Sequence, residues 1–248
     1  PDSFVGRTNE LEQLGTLLAE GNRLLTVVGA GGTGKTRLVC QFGVERVSTY
    51  EGGVWFADLS LAQNKSDICQ CVADAFGIPL ISSDPLTQIR NAIQGRGKAL
   101  ILLDNFEQVV HLAPAILGEW MKVAPEARFV VTSRERLRVT GEQLLYLDPL
   151  GLTEAIALFE TRARAVRPDF ALTDANRKTV EEIVKRLDCM SLAIELAAAR
   201  TAILKPKQLL KRLSQRFRLL RGRDRDSSHR QSTLRNAIDW SWKLLAPY

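Results

Sequence analysis

At 248 residues, 45% apolar and 25% charged, the chain has ordinary globular composition and room for one large domain or two smaller ones. No apolar run reaches the about 18 residues of a membrane-spanning helix, and the start, PDSFVGRTNE, lacks the apolar core of a signal peptide, so a cytoplasmic protein without membrane contact is expected. The net charge of +6 is uneven: from residue 200 onward 13 Lys/Arg face 3 Asp/Glu, so the tail is basic and the rest mildly acidic.

Residues 8–20 carry Leu11, Leu14, Leu17 and Leu18 at helical spacing, with Thr8 or Asn9 placed to cap that helix. RLLTVV (Arg23 to Val28) has the apolar, β-branched composition of a buried parallel strand. A glycine-rich turn follows, then a helical pattern at Leu38, Val39, Phe42 and Val47. GGVWFADLS (residues 52–60) reads as a second strand and DICQCVADAFGI as a helix, and Asp84-Pro85 opens another helix with proline near its first position. KALILLDN (98–105) is a strand ending in a carboxylate, EQVVHLAPAILGEWMKVA a helix interrupted near Pro114, ARFVVTSR a fourth strand and EQLLYLDPL a fifth. From about residue 152 the segments TEAIALFETRARAV, ANRKTVEEIVKRL, SLAIELAAARTAIL and PKQLLKRL are all helical in period, with no strand between them. RFRLLRGRDRDSSHRQS (216–232) reads as a solvated basic connector, a nucleic-acid contact being the competing reading, and STLRNAIDWSWKLL begins one more helix. Cys40, Cys69, Cys71 and Cys189 form no C-x-x-C pair, and with only His111 and His229 beside them they read as reduced thiols rather than a zinc site. A chain that opens on Pro1 and stops after WSWKLLAPY reads as an excised fragment.

The turn VVGAGGTGKTRL (27–38) matches G-x-x-x-x-G-K-[ST] at each fixed position, between a strand and a helix. Gly29, Gly31, Gly32 and Gly34, with Thr33, turn backbone N–H groups inward as a phosphate cradle. Lys35 brings a point charge to the β- and γ-phosphates, the Thr36 hydroxyl can ligate Mg²⁺, and Arg37 completes the nucleotide-contacting set. ALILLD then places Asp104 at the end of a parallel strand, facing the phosphate loop, to hold Mg²⁺ opposite Thr36 or else to cap the following helix. Glu107 either orients the attacking water or caps a helix as a first-turn acid. Arg134, at the end of FVVTSRE, is favoured as the γ-phosphate sensor over Arg136 and Arg138. The fold class follows: an α/β P-loop NTPase, its parallel sheet covered by helices on both faces, with a small all-α domain after it. The partition expected is 1–150 for the nucleotide-binding domain, 151–215 for the helical domain and 216–248 for the basic linker and the first helix of a truncated winged-helix domain.

With these features in order, the chain resembles the signal-transduction ATPases with numerous domains (STAND), the group that includes plant disease-resistance NB-ARC modules. It looks closest to the ATPase modules of large bacterial transcriptional regulators. The resemblance runs from FVGR (Phe4 to Arg7) through LAIELAAAR to LRNAIDWSWKLL. It implies that Val5 offers backbone hydrogen bonds to adenine, that Arg7 sits near the nucleotide, and that a glycine–any–proline–leucine turn closes over the base. Here that turn reads Cys189-Met190-Ser191-Leu192, so Ser191 replaces the proline, capping the helix instead, and Met190 supplies soft apolar contact. The histidine with which relatives lock the ADP state has no counterpart, since neither His111 nor His229 lies in a matching motif.

The implied activity is an ATP/ADP switch with Mg²⁺ and slow hydrolysis, the ADP form closed and the ATP form assembling with further copies, with sensor and effector domains outside these residues. Two alternatives stand beside it: a fast ATPase or kinase, and a nucleic-acid-binding module acting through the basic tail.

Overall fold

The computed structural model describes residues 3–220, and side chains as far as Leu213. Expectations for residues 221–248, including most of the basic connector, His229 and the winged-helix segment, lie outside the described residues. The described chain forms two compact units.

The first unit comprises Arg7–Gly29 and Lys35–Leu147. In chain order it holds α1 (Thr8–Ala19), β1 (Leu24–Val28), α2 (Lys35–Arg46), β2 (Val54–Asp58), α3 (Lys65–Phe76), α4 (Pro85–Gly95), β3 (Leu100–Asp104), α5 (Ala113–Val123), β4 (Arg128–Ser133) and β5 (Glu142–Tyr146). All strand pairings are parallel, in the order β2-β3-β4-β1-β5. β1 and β3 are buried at each of their five residues, as strands covered on both faces must be. The two-residue side-chain period divides the core. Ile101, Leu103, Phe129 and Val131 join a cluster with Ile68, Val72, Ile89, Ile116 and Trp120 of α3, α4 and α5. On the opposite face α2 lies so close that a Cβ at Gly43 would come within 2.7 Å of Leu102. α1 packs on β1 and β5.

The second unit includes Ala30–Gly34 and the chain from Asp148. Its helices are α6 (Leu152–Val166), α7 (Asp174–Arg186), α8 (Ser191–Ala199) and α9 (Pro206–Leu220). They enclose a separate core that includes Phe159, Phe170, Val180, Ile183, Met190 and Ile194.

Several boundaries differ from the sequence reading. Neither Thr8 nor Asn9 caps α1; the N-cap is Arg7, left-handed at φ 67°, with no side-chain capping bond. Residues 107–124 are not one interrupted helix. Phe106–Gln108 and Val110–Leu112 are 3₁₀ turns, and α5 starts only at Ala113, where Pro114 fits a first turn that needs no N–H from it. Ser191 is not a cap but the first residue of α8, after the extended N-cap Met190. α9 continues to Leu220, so residues 216–220 of the expected connector are helical.

Candidate functional site

β1 delivers the glycine-rich loop at its C-terminal end, beside β4. The Gly29 N–H donates to the Ser133 carbonyl at 3.2 Å, fixing the point where the loop leaves the sheet. Gly34 adopts φ +97°, a conformation that side chains rarely take, and a Cβ there would sit 3.5 Å from the Ser191 hydroxyl. The Thr33 hydroxyl donates to the Ala30 carbonyl at 2.9 Å, tightening the turn from inside.

Lys35 opens α2 and is only 8% exposed. Its ammonium donates to the Gly29 carbonyl at 2.9 Å. Burial holds its pKa below the usual lysine value; Glu107 and Asp104 oppose that, while Arg134 adds to it. Lys35, Asp104, Glu107 and Arg134 therefore share one electrostatic environment. Thr36, the next residue on α2, sets its hydroxyl 2.9 Å from both Asp104 carboxylate oxygens across 68 residues of sequence.

Asp104 ends β3 and is 2% exposed. It does not cap a helix; it accepts from the Thr36 and Thr132 hydroxyls and, at 3.1 Å, from the Asn105 amide. The Thr132 hydroxyl, from the neighbouring β4, in turn accepts the Asn105 N–H at 3.0 Å. Asn105 stands at φ 60°, a region asparagine visits more readily than most residues. That turn lets its amide also donate to Asp58 Oδ1 at 2.9 Å. Asp58 ends β2 in register with Asp104. Burial alone would raise the Asp58 pKa, but hydrogen bonds from Asn105 and Ser60 outweigh it and hold the carboxyl below its usual range.

Glu107 follows on the first 3₁₀ turn. One carboxylate oxygen accepts from Arg134 Nε at 3.0 Å; the other is buried with no partner among the described residues. Arg134 is itself 57% exposed by side chain, whereas Glu107 is 13% exposed, so the pair has one solvated and one enclosed member. A Coulomb attraction so placed is worth little in isolation.

The remaining residues named from sequence fall elsewhere. Arg7 is 5% exposed and pairs with Glu10 at 2.5 Å. Val5 packs against the core of the helical unit. Arg37 is half-buried on α2. Met190 is fully buried in the helical core, so its side chain is enclosed by protein rather than offered to a ligand. Within the second unit, the Ser191 hydroxyl donates to the Thr33 carbonyl at 3.1 Å and the Leu192 N–H to the Gly32 carbonyl at 3.1 Å. Asp188 and Cys189 just before are left-handed at φ 49° and 52°, which shows why glycine suits the second of them. Sequence reasoning missed Asp58 and the role of Thr132. Asp58 carried a signal, since it ends its strand as Asp104 does.

The donor set fits a nucleotide with its metal. Thr36 and Asp104 are hard oxygen ligands of the kind Mg²⁺ takes, and the loop N–H groups at the start of α2 suit phosphate oxygens.

Comparison with known proteins agrees with the geometry. Residues 18–132 match the AAA domain family. The chain is 36% identical to the uncharacterized protein Mb0918 of Mycobacterium bovis over 249 residues, spanning 98% of this chain and 62% of that protein. It is 38% identical to the "Putative HTH-type transcriptional regulator Mb0914c" of Mycobacterium bovis, spanning 92% of this chain and 26% of that one. The chain thus spans less than two thirds of the length of these relatives. Among solved structures, Cdc6p from Pyrobaculum aerophilum superposes with TM-score 0.63 at 17% identity, over 82% of this chain and 62% of that one. A STAND protein with a tetratricopeptide repeat sensor from Pyrococcus horikoshii gives 0.54 at 15% identity, over 96% and 40%. At such identities the likeness is one of fold.

Proposed function

We propose that this chain, a P-loop ATPase module of the AAA type, works as a slow ATP/ADP switch inside a longer regulatory protein. The observation that carries this reading is the state of the carboxylates around Asp104. Asp58 accepts from Asn105 and from the Ser60 N–H, and Glu107 is held by Arg134. The position after Asp104, where a base could act directly, is Asn105, which cannot take a proton at neutral pH. Such a site binds nucleotide well and hydrolyses it slowly.

In this reading Lys35 moves from the Gly29 carbonyl to the phosphates, and Thr36 and Asp104 hold the Mg²⁺. When bound, that ion draws charge from the terminal phosphates. Arg134, the exposed partner, leaves Glu107 to meet a γ-phosphate, and Glu107 is then free to orient water. ATP and ADP thereby differ in what they do to one ion pair, which gives the differential affinity that a switch requires. The hydrogen bonds of Ser191 and Leu192 to the loop carbonyls favour a role for α8 in sensing the loop, with Val5 and Arg7 on the adenine side. The ATP form assembles with further copies. The relatives named as HTH-type regulators support an output in transcription through segments outside this chain.

Calorimetry and steady-state turnover test this together. ADP and ATP should both bind, Lys35→Ala should weaken both at least tenfold, and turnover should stay below about 0.1 s⁻¹, under the usual enzyme range of about 1–1000 s⁻¹. Turnover of about 10 s⁻¹ or more would instead support a fast ATPase, and undiminished binding by Lys35→Ala would remove the phosphate-loop assignment.

A further inference from the structure

The sheet unit has a concavity at the end of α2 away from the phosphate loop. α2 opens on Lys35 and closes on Arg46, which sets the two about 16 Å apart at 1.5 Å per residue. Around Arg46 lies a cavity of about 400 Å³, lined by apolar Leu18, Ala19 and Phe42 and by polar Tyr50, Lys98, Glu126 and Arg128. All of these belong to the sheet unit. The volume is within the range of small-molecule pockets.

The polar groups of this cavity are not satisfied from within. The Arg46 side chain makes no hydrogen bond or ion pair among the described residues, and its Nε is buried without a partner. Its guanidinium lies over the Phe42 ring, 5.2 Å from the centroid. Gly15 on α1 makes room for it, since a Cβ there would meet Arg46 Nη2 at 2.6 Å. Tyr50 is only 8% exposed, and its phenol bonds to no described group. Burial raises the phenol's pKa while the positive charges of Arg128 and Arg46, which line the same cavity, pull it back. Arg128 uses Nη1 on the carbonyls of Pro125, Glu126 and Ala127, leaving its other nitrogens unbonded among the described residues. Enclosing the Arg46 Nε unpaired is costly. Three cations face one carboxylate, Glu126, a surplus that suits a dianion, and the apolar wall suits a hydrocarbon body next to it.

We propose that this cavity binds a small organic phosphate carrying an apolar ring or chain, at a site separate from the nucleotide. The phosphate would take the free N–H groups of Arg46 and Arg128 and the Tyr50 hydroxyl, with Lys98 as an exposed fourth donor. The site does not depend on nucleotide chemistry, so it stands or falls apart from the switch.

Calorimetry with phenyl phosphate tests it, on the 248-residue chain and on Lys35→Ala, Arg46→Gln and Tyr50→Phe. Saturable binding tighter than about 1 mM is expected, a modest small-ligand affinity, equal within about twofold in Lys35→Ala and at least about tenfold weaker in Arg46→Gln, as loss of a charge-assisted contact implies. Tyr50→Phe, which keeps the ring and removes one donor, should weaken it about threefold, and it carries the test if Arg46→Gln fails to fold. Phenol and inorganic phosphate should each bind more weakly than phenyl phosphate. No binding at about 10 mM, or binding lost in Lys35→Ala and kept in Arg46→Gln and Tyr50→Phe, would overturn the proposal, the latter by returning the anion to the phosphate loop.

Discussion

Asp104→Asn separates what the carboxylate costs the fold from what it contributes to the site. Asp104 is 2% exposed and accepts from two hydroxyls and one amide, all neutral donors. Enclosing a charge among neutral groups carries a desolvation penalty, which hydrogen bonds to a charged acceptor of about 1.5–3 kcal/mol each offset in part. Asparagine keeps the shape and one acceptor oxygen, and the Thr36 and Thr132 hydroxyls can rotate to accept from its amide. Removing the charge while retaining the bonds should change the stability of the ligand-free protein by no more than about 1 kcal/mol in either direction. That corresponds to about 2–4 °C in Tm for a chain of this size. The metal side behaves oppositely. Loss of the anionic ligand should remove about 2–3 kcal/mol of the Mg²⁺-dependent part of ATP binding, as expected for breaking a charge-assisted interaction, and leave Mg²⁺-free ADP binding almost unchanged. Thermal shift and calorimetry, each with EDTA and with Mg²⁺, measure the four quantities. If the Mg²⁺ dependence of ATP affinity matches that of the unaltered protein, Asp104 is a structural acceptor for Thr132 and the metal assignment is wrong.

Glu107→Gln should cut turnover at least about tenfold, the scale of general-base help, with ADP affinity within about twofold; unchanged turnover would leave Glu107 as a partner for Arg134 alone. Arg134→Ala should narrow the preference for ATP over ADP without reducing ADP affinity, which competition binding reads directly. Lys35 gives a pH signature. Its pKa is depressed in the free protein, and phosphates should raise it again, so binding should take up protons in the window between the depressed and the phosphate-raised values, as heats compared in buffers of different ionisation enthalpy would show. The same shift, taken alone, makes ligand-free stability rise with pH between the depressed value and the ordinary lysine value, because there the unfolded chain binds more protons. At Ser191 the helix-start position and the extended Met190 are compatible with proline. Ser191→Pro gains about 0.4–1 kcal/mol from the unfolded chain and loses the bond to Thr33, worth about 0.5–1.5 kcal/mol. It should thus unfold within about 1 kcal/mol of the parent and above Ser191→Ala; a loss of about 3 kcal/mol would place Ser191 inside the helix.

The sequence by itself determined the local parts. The phosphate loop is legible because eight consecutive residues, Gly29 to Thr36, set their own backbone through glycine's freedom and end in a lysine and a hydroxyl. The five strands are legible as short apolar runs bounded by polar turns, and Asp104 as the carboxylate that ends one of them. The start of α5 was not, because 107–112 has helical spacing yet follows the left-handed Asn105 as two 3₁₀ turns whose i→i+3 bonds local spacing does not distinguish from an α-helix. What only the tertiary structure decided is pairing between distant segments. The order β2-β3-β4-β1-β5 puts the ends of β2, β3 and β4 side by side. It thereby brings Asp58 to Asn105, Thr132 to Asp104 and Arg134 to Glu107, across 47, 28 and 27 residues of sequence. The same order gathers Arg46, Tyr50, Lys98 and Arg128 at the opposite end of the sheet unit, where none of them belongs to a motif. Backbone preference acts over a few residues, whereas strand neighbours are chosen by burial of the whole sheet. A window of sequence therefore shows that Glu107 and Arg134 exist, and the assembled sheet alone shows that they hold each other.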